Sequence, residues 1–299
     1  MAIYATTQVK PAPLGNAALV LGDKPCGIIR QVSGGAVGAS VVAEQRQGTR
    51  EVRKHVGPIE QEELSLDIGF AMGKPVFDWI ADTWSLKTPR RDGAILACDR
   101  KLEPKSQRRF TGALITEATI PALDKSDKKS AWLNLKFAFE SMRLEPPPAG
   151  KVEGDPAHPA KLLLGQNFKL EIEGLDCGKV QAIDSFTVRQ IPHRAGREGL
   201  VPGNVIFPDL RITFAEVTAD SWQQWLEDFI LKGNHSADKE KKGALTLLSE
   251  KQQALATIQL NGLGIFKLSH AAAGSAVEEH HMLATAQLYC QRMDFQPSS

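Results

Sequence analysis

Two cysteine–glycine pairs, Cys26-Gly27 and Cys177-Gly178, stand 151 residues apart in a chain of 299, and each opens an aliphatic–polar stretch ("CGIIRQVS", "CGKVQAID"). Further matches follow in the same order. Arg50-Glu51 matches Arg197-Glu198 at an offset of 147, Leu64, Leu66 and Ile68 match Leu210, Ile212 and Phe214 at 146, and Trp79 matches Trp225 at 146. Gly93-Ala94 matches Gly243-Ala244 and Gly112 matches Gly262 at 150, while Met142 and Pro146 match Met293 and Pro297 at 151. An offset that drifts by a few residues without breaking order is what small loop insertions leave in a duplicated module. A chain written twice has to supply two cores, so the repeat constrains the fold more than any single motif does.

The matched segments share a physical period. "LSLDI" and "LRITF" alternate apolar and polar residues, as half-buried strands do. "FKLEIEG" alternates through Phe168, Leu170 and Ile172, and "WLNLKFAFESMRL" through Leu133, Leu135, Phe137 and Phe139. The counterpart "HMLATAQLYCQRM" places Ala284, Ala286, Leu288 and Cys290 at those sites, so the two cores are expected to differ in bulk. One segment per half changes period. Trp222, Trp225, Leu226, Phe229 and Ile230, and likewise Val76, Trp79, Ile80, Thr83 and Trp84, fall at i, i+3, i+4, i+7 and i+8, one apolar helix face. Asp220 or Ser221 is expected to cap the second helix and Lys232-Gly233 to end it. Pro75 suits the first turn of the other, and Pro89 follows its stop. The packing faces Val76, Trp79, Ile80 and Trp84, and Trp222, Trp225, Leu226 and Phe229, are expected to lie on their own sheets.

Prolines at 146, 147, 148, 156 and 159 bar regular structure between the halves. The expected organisation is an N-terminal arm (1–14), a first domain (15–146), a proline-rich linker (147–164) and a second domain (165–299). A strand-rich unit of this size with one helix closes as a sandwich or barrel, so the fold class is mainly β with one helix per repeat.

No run approaches the roughly 18 apolar residues of a membrane span, and the N-terminus lacks the basic start and long apolar core of a secretory signal. Four cysteines without a C-x-x-C spacing read as free thiols made in a reducing compartment. A net charge of +1 argues against general polyanion binding. The charge is unevenly divided: residues 1–150 carry 21 Lys/Arg against 17 Asp/Glu, and residues 151–299 carry 15 against 18. Oppositely charged halves suit head-to-tail contact between chains, although drift in surface composition gives the same pattern.

Chemistry-bearing motifs are weak. Glu278, Glu279, His280 and His281 sit together, but adjacent histidines on a strand point to opposite sides and read as a solvated loop. "SGGAVGAS" (33–40) lacks the Lys-Ser/Thr of a phosphate loop. Cys26 and Cys177 have no histidine in matching places and read as buried thiols, and the lysine run 239–243 reads as solvated. No catalytic, cofactor or metal residues are assigned. Two segments stand out, "EQRQGTREVRKHVGPIEQEE" (44–63) and "RQIPHRAGREGLVPGNVIFPD" (189–209). Both are long, rich in Arg and Gly, and at equivalent places. They read as arms that order on contact with another subunit.

"FKLEIEGLDCGKVQAIDSF", a loop ending "PGNVIFPDLRITFA", "SWQQWLEDFILKG" and "KGALTLLS…ALATIQLNGLGIFKL" together resemble the tail tube family of contractile phages and related contractile injection systems. That family's pattern is a strand with an "EI-G" step, a long stacking loop, a "W-W…F" helix and a late "I-L-G" strand. The resemblance covers 165–297 and reaches 15–146 through the repeat. It implies two tandem tail-tube-like β-barrel domains, similar to the type VI ring protein, in a structural, non-enzymatic protein without cofactors. Such a protein forms a ring or conduit layer, tube or tube-to-hub adaptor, for passage of DNA or effector. The partners implied are the chain itself and adjacent tube, hub, spike or sheath proteins. The place implied is a virion tail or injection particle assembled in the bacterial cytoplasm, without membrane insertion. Rings of the family stack through the long loops, which here carry Arg46, Arg50, Glu51, Arg53 and Lys54 in the first half and Arg194, Arg197, Glu198 and Asn204 in the second. Two barrels per chain depart from the family. Three chains per pseudo-six-fold ring, six chains in two joined rings, or one barrel decorating the other all follow, with the trimer favoured by the divergence of the halves. A soluble two-domain ligand-binding or interaction protein is the alternative class, and a hydrolase with groups that converge only in the fold is a third.

Overall fold

The computed structural model describes residues 15–45, 51–152, 161–195, 199–270 and 282–298. The first half runs β1 (Asn16–Leu21), β2 (Lys24–Ile29), β3 (Gln31–Gly34), β4 (Val37–Gln45), β5 (Val52–Gln61), β6 (Leu64–Ile68), helix α1 (Lys74–Trp84), β7 (Arg91–Cys98), β8 (Pro104–Ile120), β9 (Leu123–Asp124), β10 (Leu133–Ala138) and β11 (Ser141–Glu145). The second runs β12 (Leu163–Ile172), β13 (Val180–Ile183), β14 (Phe186–Gln190), β15 (His193–Arg194), β16 (Leu200–Val201), β17 (Val205–Ile206) and β18 (Leu210–Ala215). Helix α2 (Asp220–Leu226), β19 (Lys241–Ser249), β20 (Ala254–His270) and β21 (Leu283–Pro297) follow. The chain is mainly β.

Six strands follow the same order in the two sheets, β1-β7-β8-β10-β6-β3 in one and β12-β19-β20-β21-β18-β13 in the other, with β2 added at the start of the first path and β9 at the end of the second, all antiparallel. In the first half β2 and β3 are separated only by Arg30, whose N–H bonds Asp67 O at 3.0 Å. The two ends of that path are therefore one bent strand, and the barrel closes on itself. Finer details also recur. β8 pairs β10 with a bulge at Thr116, and β20 pairs β21 with a bulge at Phe266, 150 positions on. Gly112 and Gly262 have φ of +59° and +67°. A Cβ on Gly112 would lie 2.5 Å from Glu140 Cδ, and one on Gly262 2.6 Å from Gln291 Cγ. Gly112→Ala is accordingly expected to cost about 1–2 kcal/mol. Gly22→Ala, with φ +59° but nothing within 4 Å of the new Cβ, is the milder control. Urea unfolding of both variants measures the difference that the contact with Glu140 makes.

The alternating strands bury their apolar side: Leu64, Leu66 and Ile68 on β6, and Leu210, Ile212 and Phe214 on β18. The first core is aromatic, with Trp79 5.4 Å and Phe110 5.0 Å from Phe137. The second places Ala284, Ala286 and Leu288 at the corresponding β21 sites. Trp79 Nε1 donates to Pro89 O (2.9 Å), and Trp222 Nε1 to Asp176 O (3.1 Å) while stacking on Phe214 at 4.5 Å.

The helices differ from the expectation in three respects. Val76, Trp79, Ile80 and Trp84 are all buried, but α1 does not pack on its own sheet alone. Phe77 and Trp84 lie 6.3 and 5.6 Å from Phe295 on β21 of the second half, so one continuous apolar core joins the halves. Helix α2 passes into a π turn at Glu227–Leu231; Trp222, Trp225 and Phe229 are buried, Leu226 is half-buried and Ile230 turns outward. Neither Asp220 nor Ser221 caps it with a side chain. Ser221 Oγ instead accepts the Asp176 N–H at 3.0 Å. In the linker, Val152 packs beside Ala18, Ala94 and Leu96 on the outer face of the first sheet.

Candidate assembly interface

The two halves meet by sharing backbone. β14 of the second half pairs with the end of β8 in the first, Phe186 opposite Ile120, Thr187 opposite Thr119, Val188 opposite Ala118 and Arg189 opposite Glu117. This position on β8 is vacant because β7 ends its pairing at Ala113. Burial of Val188 to 3% exposure and of Phe186 to 4% follows from that contact. Across the seam Thr119 and Thr187 hydroxyls lie 2.8 Å apart, and Glu117 takes both Arg189 (3.3 Å) and Lys136 (2.8 Å). Asn134 Nδ2 donates to Asp67 (2.8 Å) and Ser65 (3.0 Å) on the same open face, and Arg211 lies 3.7 Å from Asp184 in the second half. The non-core face of the shared sheet is thus polar, with charges of both signs largely paired. This face presents little net field of either sign.

A second contact runs the other way. Residues 123–131 of the first half fill the gap between β12 and β13, which do not pair with each other. Leu123 and Asp124 pair with Ile183 and Ala182 on one side. On the other side, Gln166 N–H bonds Asp127 O (2.8 Å), Gly165 N–H bonds Lys129 O (3.0 Å) and Ala131 N–H bonds Leu163 O (2.9 Å). Lys125 Nζ donates to the carbonyls of Gln166 (3.2 Å) and Phe168 and sits 4.1 Å from the centre of the Phe168 ring. Burial depresses its pKa. The second barrel is closed by a tongue from the first.

The arms also differ from the expectation. Most of 44–63 is not a loop: β4 and β5 form a long hairpin paired only with itself. Glu51, Arg53 and Lys54 lie on β5 or just before it, and all are exposed. Arg46, Arg50, Arg197 and Glu198 fall outside the described residues. The second arm is short and folded back on the first half. Arg194 Nη2 donates to Phe139 O (3.2 Å) and to Gln61 Oε1, and Leu200 N–H bonds Glu140 Oε1 at 3.0 Å, with Leu200 4% exposed. Asn204 is exposed, and its carbonyl accepts the Ile191 N–H. A cleft of about 650 Å³ at this rim is lined by Glu62, Glu63, Glu117, Glu140, Arg189 and Arg194. The shared sheet, the tongue and the latched arm were missed by sequence reading. The register of the repeat could have suggested the first, because it leaves equivalent strand ends in each half.

The other motifs remain apart. "SGGAVGAS" forms the corner between β3 and β4, where Gly34 and Gly35 both have φ of +77°. Burial pushes the Cys26, Cys177 and Cys290 thiols up to about 11 and raises that of Cys98, away from nucleophilic character. His280, His281, Glu278 and Glu279 lie outside the described residues. Among the described residues no group of three or more His, Cys, Asp and Glu is placed to hold a metal, and no helix is long and apolar enough to cross a membrane.

No protein-family model matches the sequence, and none of the curated proteins matches it. Among solved structures, the chain is similar to a protein of the sheath–tube complex of an extracellular contractile injection system (PVC) in the extended state. That match is 20% identical with a TM-score of 0.41, over 46% of this chain and 94% of the other. A chain of the tube-terminating cap of the anti-feeding prophage is 19% identical with a TM-score of 0.40, over 49% of this chain and 99% of the other. A chain of that prophage's baseplate is 15% identical, TM-score 0.38, over 44% and 91%.

Proposed function

We propose that this chain is a structural ring protein of a contractile phage tail or injection system, that its two halves are tandem tube-like barrel domains, and that three copies close one pseudo-six-fold ring. The observation that carries the reading is the addition of β14 to β8, which sets the two barrels side by side in one wall rather than one above the other. The same two surfaces stand open at opposite ends of the chain. At one end β20 pairs with β19 only as far as Leu263, so among the described residues no strand pairs with that edge of Ile265–His270. At the other end, the counterpart of β14 is 35–39, and Val37, which answers to the buried Val188, is 56% exposed. Repeating the internal seam would place Ala36 opposite Ser269 and Val37 opposite Leu268. Free edges of this kind invite pairing, and ring closure removes them.

The helix side supports the same geometry. Phe295, covered by α1, answers to Leu144, which is 77% exposed; Trp84, which covers it, answers to Ile230, 43% exposed. Each open end therefore carries half of the contact that the internal junction completes. In this reading the chain contributes wall, bore and register rather than catalysis. The ring serves as tube layer or tube-to-hub adaptor, the charged face of its β4–β5 arm is turned to the next layer, and DNA or effector passes as cargo.

Mass photometry of the purified full chain, with negative-stain imaging, tests this. Three copies per particle around a central hole is the expected result. Six copies around one axis would reject the trimer, and a monomer at all concentrations would favour a soluble two-domain binding protein.

A further inference from the structure

The two arms carry different chemistry on equivalent faces. In the second arm, Arg194 pairs across the hairpin with Leu200, and this pair lies on the rim of the first half. In the first arm the equivalent cross-strand pair is Ala43 with Lys54. The face that holds this pair continues through Val41 opposite Val56 and Ala39 opposite Ile59. Val41 is 67% exposed, and Val56 and Ile59 are each 76% exposed. The opposite face is charged, with His55 4.0 Å from Glu44. An apolar face of this length on a free two-stranded hairpin calls for cover.

The rims differ in a matching way. The rim of the first half, which receives the arginine-bearing arm, presents Glu60, Gln61 and Glu140 above the buried Thr116. At the same places the second half has Ile206 (48% exposed), Phe207, Phe266 (42% exposed) and Gln291. A polar rim holds the Arg194–Leu200 arm within the chain, through Gln61 and the Phe139 carbonyl for Arg194 and through Glu140 for the Leu200 N–H, and an apolar rim stands open at the end of the chain where the next copy's apolar arm would arrive. We infer that the valine face of β4–β5 docks on the Ile206–Phe266 rim of a neighbouring copy in the same ring. The inference rests on the ring reading above and extends the internal junction to the external one. It also gives the ring a sorting rule. A first half set beside another first half would press valines on carboxylates, and two second halves would press arginines on phenylalanine, so only alternation satisfies both seams.

Lys54→Cys combined with Gln291→Cys in the full chain, treated with a short bismaleimide, tests the contact, because Leu200 and Glu140 touch at the equivalent positions inside the chain. The expected product is a ladder on a denaturing gel that ends at three chains, absent from either single variant. A second variant, Val41→Glu with Val56→Glu, is expected to shift the concentration of half-assembly upward by at least tenfold while circular dichroism stays unchanged. Particles of three copies that neither cross-link nor weaken in these variants would overturn the docking and leave the ring intact. Ladders running past three chains would overturn it in favour of contacts between layers. A wild-type chain that never exceeds one copy would remove the ring reading itself.

Discussion

Phe295→Ala is expected to destabilise the folded chain by about 3–5 kcal/mol, lowering the thermal midpoint on the order of 10 °C. Phe295 is 3% exposed and belongs to β21 of the second half, yet its ring contacts Phe77 and Trp84 on the helix of the first. Truncation removes apolar contact between halves and leaves a cavity walled by rigid strands and helix, which collapse poorly. Scanning calorimetry measures the loss. A midpoint within about 2 °C of the wild type would mean that α1 repacks freely and that the joint core is not what couples the halves. Leu144→Ala, at the equivalent but exposed position, is the control and is expected to leave the isolated chain's stability nearly unchanged.

Leu144→Asp is expected to have the opposite profile, with a folded chain of normal stability and an assembly weakened roughly 100-fold or more per junction. In the isolated chain the side chain is 77% exposed, so a carboxylate there stays hydrated. In the ring it would sit beneath the helix of the next copy, where a buried, unpaired charge is costly. Ile230→Asp approaches the same contact from the other side and is expected to give a similar loss. Sedimentation velocity over a dilution series separates the two profiles. Wild-type mass retained by Leu144→Asp at equal concentration would show that the external junction does not repeat the internal one.

Much of the fold was legible because short-range physics writes it directly. The alternation of Leu64, Leu66 and Ile68 is what a one-sided strand requires, and the spacing of Val76, Trp79, Ile80 and Trp84 is what a helix face requires. The matched glycines at 112 and 262 were visible as letters, and their reason, a positive φ beneath a crowded side chain, needed coordinates. What was not legible depends on partners distant in sequence. Nothing in "FTVRQ" (186–190) announces that its partner is β8 of the other half, since edge and central strands share a pattern when the neighbour is remote. "VRKHVGPIEQ" (52–61) reads as loop because its valines face open space, and a strand without a covered side lacks the usual apolar density. Lys125 stands in the charged run "DKSDKK" (124–129) with nothing to mark it out, and its ammonium caps the carbonyls of β12. The outward turn of Ile230 follows from one π turn, which shifts the helix face by a residue and has no composition of its own.

The tongue at 123–131 also orders events in time. A ribosome releases it before any strand of the second barrel exists. The early half can therefore close by itself while already displaying the one stave that its successor lacks. When β12 and β13 emerge, their bare margins find a template in place, which shortens the interval in which they would adhere to strangers. Reversing the order of the halves by circular permutation would keep every contact of the finished molecule but leave the incomplete barrel waiting. Birth order along the chain, as much as the final contacts, then sets how cleanly this protein reaches its shape.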